Sequence, residues 1–179
     1  MFKLTLIVFL TAVISALVSA CSPKFDWRDV RDGISPFTIL MPDKPAKLSR
    51  EIQMGQEKIT MNMTAAQIDH VNFAVGAAKL TDAAQTEAML ATIKNALLLN
   101  LAGRMIHEKN SVANIDGKIT LTDDFDAVSA KQDPSGSHTR MTGKLVGRDG
   151  WVFQVLVVGP ENEINNEAAE TFLSSFKPV

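Results

Sequence analysis

The chain has 179 residues and a formal charge of −2, from 18 Lys+Arg against 20 Asp+Glu. That length suits one domain with a real core, and the charge balance argues against nucleic acid or an anionic surface as a partner. Cys21 is the only cysteine, which excludes an internal disulfide, and there is no tyrosine to act as a general acid. Residues 4–18 form the first element, an apolar run interrupted only by Thr5, Thr11 and Ser15 and preceded by Lys3. The run has the length of a signal-peptide core and is short for a membrane span.

Leu17, Val18, Ser19 and Ala20 then lead into Cys21. This stretch resembles the lipobox of bacterial lipoproteins, with an aliphatic residue three before the cysteine and small residues after it. The resemblance implies cleavage after Ala20, diacylglycerol on the Cys21 thiol and acylation of the new amino terminus. Such attachment is stable, since each buried methylene contributes about 0.8 kcal/mol. Ser22, where aspartate would suggest inner-membrane retention, resembles an outer-membrane address. The other reading is an ordinary secretory signal with a chance cysteine near its end. The expected organisation is a lipoprotein signal peptide over 1–20, a lipidated Cys21 and tether over 21–36, and a single domain over 37–179. Beyond the signal the chain carries 17 basic and 20 acidic side chains, a charge of −3.

Residues 22–36 read as an extended lead-in, rich in Pro, Gly and charge. Phe25 and Trp27 within it read as rings that pack on the domain, with a partner-docking segment near the membrane as the alternative. Phe37–Met41 reads as an edge strand ended by Pro42, and residues 42–45 as a rigid turn. Over 58–65, Ile59, Met61, Met63 and Ala65 alternate with polar residues, a half-buried strand. Its methionines read as core before metal or ligand contacts. Val71, Phe73, Val75 and Ala77 mark the returning strand. A long helix is predicted over 81–101, capped by Thr81, with Asp82 at its positive end, a stripe of Ala83, Leu90, Ile93, Leu97 and Leu101, and Gly103 as its stop.

Strands over 111–115 and 118–121 flank Asp116-Gly117, a strong hairpin signal. Residues 125–131 read as a further strand and 133–136 as a turn. A second hairpin joins 140–146 to 151–158 through a turn at 147–150. Residues 151–158 are apolar except for Gln154, so that strand should be covered on both faces and lie centrally. Ala169, Phe172, Leu173 and Phe176 mark a short terminal helix.

The sum is an α+β class, a mostly antiparallel sheet covered by one long and one short C-terminal helix. Two features carry a further resemblance: the early segment Phe37–Met41 closed by Pro42 and Pro45, and the final hairpin followed by a helix ending in Phe172, Leu173, Ser175 and Phe176. They resemble small proteobacterial lipoproteins and, more distantly, the PsbP-like α/β/α sandwich. What this implies is a fold whose relatives mostly act as binding or assembly modules.

No catalytic constellation emerges. Ser135 lacks the first glycine of a nucleophile elbow. His107-Glu108 begins like a zinc-protease helix, but position 111 is serine. His70, His107 and His138 are far apart and read as surface or turn residues. Asp123, Asp124 and Asp126 are the best candidate for a cation site, although they lack the glycine and distal glutamate of a calcium loop; otherwise they read as a solvated loop. No cofactor-binding motif is present. The expectation is a non-catalytic envelope module, held to the membrane through Cys21, that binds an envelope protein or component. Two alternatives stand beside it: a carrier of a small apolar ligand held between sheet and long helix, and a hydrolase using Asp124 or Asp126 with a histidine.

Overall fold

The computed structural model describes residues 24–54 and 57–179. Residues 1–23, which include the expected signal peptide, Cys21 and Ser22, lie outside the described residues. Among the described residues ten strands form two antiparallel sheets. β1 (Arg28–Arg31), β2 (Phe37–Met41) and the terminal β10 (Lys177–Pro178) make a small sheet in the order β1-β2-β10. The large sheet runs β3-β4-β5-β9-β8-β7-β6, from β3 (Ala46–Met54), β4 (Glu57–Ile68), β5 (Val71–Lys79), β6 (Gly103–Ile115), β7 (Lys118–Gln132), β8 (His138–Arg148) and β9 (Trp151–Pro160). Helix α1 (Thr86–Leu101) enters the chain between β5 and β6, and α2 (Asn166–Ser175) between β9 and β10.

β9 takes the central place that its sequence demands, fourth of seven strands. Its side chains divide between two cores. Phe153, Val155 and Val157 join Phe73 and Val75 of β5, Phe37, Ile39 and Met41 of β2, and Phe172 and Phe176 from the C-terminal helix region. On the opposite face Val152 and Leu156 join Leu145, Phe125 and the α1 residues Met89, Leu90 and Ile93. α1 therefore covers one face, while α2 and the small sheet cover the other. β4 shows the same division along its length. Ile59 and Met61 are buried on the α1 side, and Ala66 and Ile68 on the α2 side, so its burial changes face midway and is not half-buried in one register.

Several local expectations change. The lead-in expected as tether over 21–36 holds a strand: Arg28–Arg31 pairs with β2 from Arg28↔Met41 to Arg31↔Thr38. The ordered domain thus begins before residue 37. β2 is not an edge strand, because β10 pairs with its other side. Pro42 follows Met41, the last paired residue, and so removes no ladder donor. β3 is an additional strand whose apolar alternation, Leu48 and Ile52, is broken by Arg50.

The long helix starts at Thr86 after a 3-10 turn over Ala83–Gln85. Asp82, not Thr81, caps that turn, its Oδ1 accepting from the Ala84 N–H at 2.9 Å. Ala102 adopts the left-handed conformation that ends the helix (φ 47°). Gly103 serves a different need, since a Cβ there would stand 2.2 Å from the Val128 carbonyl oxygen. The last hairpin turns through two residues, Asp149 (φ 52°) and Gly150 (φ 71°), and β8 runs on to Arg148. The Asp116-Gly117 hairpin is as expected, with φ 53° and 77°. β7 is one continuous strand, so Asp123, Asp124 and Asp126 sit on a strand and not in a loop. The turn at Asp133 is held by its Oδ1, which accepts from the Ser135 and Ser137 N–H groups.

Phe172 is fully buried and meets Phe73 edge-on at 5.4 Å. Replacing it with alanine is expected to cost about 3–5 kcal/mol. Leu99→Ala, on a side chain 79% exposed, should change stability by less than about 0.5 kcal/mol. Urea unfolding of both variants checks the contrast.

Candidate functional site

α1 packs on β8 and the strands around it and reaches β3 only at its margin. The β3–β4 surface beside the helix is left open as a groove of about 450 Å³. Leu48 and Ile52 of β3 and Met61 and Met63 of β4 form its floor, and Ile93 and Leu97 of α1 form its wall. Arg50 stands on the same β3 face as Leu48 and Ile52 and makes no ion pair among the described residues. The volume falls within the roughly 300–1,000 Å³ of small-molecule sites, and such sites are usually apolar with a few polar groups.

The polar group on the floor is Gln154, the single polar side chain in the otherwise apolar 151–158 run. Met63 pairs with Gly76, and Gly76 with Gln154, across three adjacent strands. Gly76 is what brings the outer two together. A Cβ at Gly76 would lie 2.7 Å from Gln154 Nε2 and 2.8 Å from Met63 Sδ. With hydrogen in its place, Gln154 Nε2 donates to Met63 Sδ at 3.7 Å. Sulfur is a weak acceptor, so the Gln154 amide keeps hydrogen-bonding capacity for a polar group entering the groove.

The residues singled out for chemistry are engaged elsewhere. Asp123 points to the α1 side, where Lys94 Nζ donates to its Oδ2 at 2.6 Å and also to Glu108 Oε1. Burial works to lower the Lys94 pKa, but the hydrogen bonds to Asp123 and Glu108 outweigh it and hold Lys94 above the usual lysine value. The Lys94 hydrogen bond likewise holds Glu108 below the usual glutamate value of 4.5. On the other face Arg140 grips Asp126 through both oxygens, Nε to Oδ1 and Nη2 to Oδ2, each at 3.1 Å. Lys144 lies 3.6 Å from Asp124. The three carboxylates therefore divide between two faces of one strand, each facing a protein cation.

His107 is on strand β6, not on a helix, directly across from Asp126. Arg140 engages both Asp126 oxygens, so this carboxylate already faces a cation on its own side of the sheet. His70 lies at the β4–β5 turn against Glu163 at 2.8 Å, and that hydrogen bond raises its pKa. His138 Nδ1 contacts the Ser129 carbonyl at 2.8 Å. Ser135 Oγ donates to Asp133 within its own turn. Among the described residues no group of three or more His, Cys, Asp or Glu side chains could hold a metal ion. Phe25 and Trp27 stack on each other at 5.7 Å and pack against the α2-side core. Nothing at the level of spacing pointed to the groove itself, because it arises from where α1 stops covering the sheet. Gln154 was its one visible trace.

No family model matches the chain, and no curated protein matches it. Among solved structures it is similar to the solution structure of cyanobacterial PsbP (CyanoP) from Synechocystis sp. PCC 6803. The TM-score is 0.52 at 11% identity, over 89% of this chain and 96% of that one. The fold is PsbP-like. At this identity the likeness speaks for the fold alone.

Lys94 generates a prediction. In Lys94→Met the Asp123 carboxylate, 12% exposed, loses its cation, at an expected cost of about 2 kcal/mol at pH 7. Glu108 has a lowered folded pKa, so its contribution is present above pH 4.5 and is lost as the pH falls through the lower folded value. The stability gap between wild type and variant should therefore narrow as the pH falls below 4.5. Denaturant unfolding at pH 7 and pH 3.5 checks it, and an equal gap at both would contradict the assignment.

Proposed function

We propose that the protein is a non-catalytic binding module of the bacterial envelope, tethered to the membrane through lipid on Cys21. Its binding site is the groove between α1 and β3–β4. The observation that carries this reading is an open apolar groove of about 450 Å³ with one under-used amide at its floor. A concave surface of that size suits a small apolar or amphiphilic molecule better than a flat protein face, which favours the carrier form of the module over the assembly-accessory form. Arg50 beside the groove would meet a negatively charged end of such a ligand. The finer arrangement, with helices on both faces of the central sheet, is read as the PsbP-like α/β/α sandwich. The non-catalytic reading is supported by the occupation of Asp123, Asp126 and Ser135 in structural contacts.

A second reading has its own observation. The β6–β7 hairpin exposes Val112, Ile115 and Ile119 near its tip, as an arm that docks an envelope protein would.

Two experiments test the proposal. In Cys21→Ser the protein should move from the membrane to the soluble fraction and lose the mass of its acyl chains; retention at the membrane would remove the anchor from the reading. For the groove, native mass spectrometry of the purified full chain should show an amphiphile beyond the covalent lipid. Leu48→Asp, at a position 60% exposed, should leave stability nearly unchanged and weaken binding of a fluorescent fatty acid at least tenfold. Ile119→Asp at the hairpin tip should leave that binding intact. Equal binding by wild type and Leu48→Asp would exclude the groove, and in-cell crosslinking of the hairpin to one dominant envelope protein would favour the second reading.

A further inference from the structure

A different feature lies at the far end of the β8–β9 hairpin. Arg148, the last residue of β8, is only 6% exposed. A guanidinium is always charged, and burying it without a partner is costly. Its Nε is buried with no hydrogen-bond partner among the described residues, as is Oγ1 of Thr120, the residue directly across from it on β7. The one ion pair that Arg148 makes among the described residues is a distant one, 4.0 Å to Asp116, whose carboxylate is itself almost fully exposed. Native proteins rarely leave such a group unanswered.

Arg148 lines a cavity of about 250 Å³ together with Lys79, Lys118, Asp149, Trp151 and Pro178. Lys118 is balanced by Asp149. Lys79 is not: it donates to the Asp149 backbone carbonyl, a neutral oxygen, and stands 5.7 Å from the Trp151 ring centroid. Three cations, Arg148, Lys79 and Lys118, thus meet at this cavity against two carboxylates, Asp149, which pairs with Lys118, and the exposed Asp116, 4.0 Å from Arg148. The β10 segment closes one side, where Val179 N–H donates to the Pro36 carbonyl at 2.8 Å.

We infer that this cavity is a binding site for a phosphate group, held by the Arg148 guanidinium and the Lys79 ammonium. The donor set, an arginine and a lysine at one cavity, selects the class. The planar fork of arginine offers paired donors to phosphate oxygens, and lysine adds a point charge. The cavity of about 250 Å³ is larger than a phosphate alone, so it has room for part of whatever body the phosphate is attached to. The phosphate could be free or could belong to a lipid headgroup. The site lies at the hairpin end and does not involve the groove residues, so it stands or falls separately from the groove.

The test is calorimetric titration of the detergent-solubilised full chain with inorganic phosphate and, separately, with soluble dihexanoyl phosphatidic acid, at low and high salt. Saturable binding that weakens with salt is expected, with at least a tenfold loss in Lys79→Met, at an exposed position. Arg148→Met should abolish binding; its thermal midpoint without phosphate should equal or exceed that of wild type, because a buried cation with only a distant carboxylate has been removed. If Arg148→Met fails to fold, Lys79→Met alone decides. Binding of inorganic phosphate assigns the free ion, and binding of the phosphatidic acid alone assigns a headgroup. Absence of binding by both ligands, or binding unchanged in Lys79→Met, overturns the site.

Discussion

Everything in this fold follows from the two-sided burial of β9. A strand that presents Phe153, Val155 and Val157 to one side and Val152 and Leu156 to the other needs apolar cover on both. Two helices alone would leave the α2 side thin, since α2 has ten residues against sixteen in α1. The small sheet makes up the difference. β2 lays Phe37, Ile39 and Met41 onto that face, and β10 locks β2 from the other side. Phe37, Phe153 and Phe176 meet there at 5.4–6.2 Å between ring centroids, within the range where aromatic pairs add to area burial.

On the other face the cover is incomplete, and the groove lies there. α1 ends with Leu97 at the groove wall and Leu99 pointing to water. A longer or differently crossing helix would have filled the β3–β4 surface and left a solid core. Lys94, bridging Asp123 and Glu108, fixes the helix over β6 and β7, toward the side of the sheet opposite the groove. This half-buried cation thus satisfies two carboxylates beneath the helix and ties the helix to β6 and β7.

How legible this was depends on the range of each signal. The hairpin turns, the central strand and the two helices are written in contiguous residues such as Asp116-Gly117 and the 151–158 run, and were readable. The fate of the acidic cluster was not. Asp123, Asp124 and Asp126 look like a solvated loop because three carboxylates close together suggest water, and only their partners Lys94, Lys144 and Arg140, 14 to 29 residues away for the hydrogen-bonded pairs, make a strand of them. β3 was hidden by Arg50 in its apolar face, which the structure places beside the open groove. Gly103 looked like a helix stop because glycine often is one, while its real constraint is the Val128 carbonyl on a strand 25 residues later. The groove depends on where a helix lies across a sheet, a quantity no local pattern encodes.

The topology also governs when the protein can form. β5 finds its partner β9 only after the intervening α1 and three strands, with Phe73 opposite Val157 and Val75 opposite Val155. β2 waits for β10 at the far terminus. Neither core can close on a partial chain, because each is bounded by a strand from the last third of the sequence. Pairings of such long separation are slow to nucleate. A nascent chain of this kind stays open until nearly all of it is available, which delays the burial of β9 to the final step.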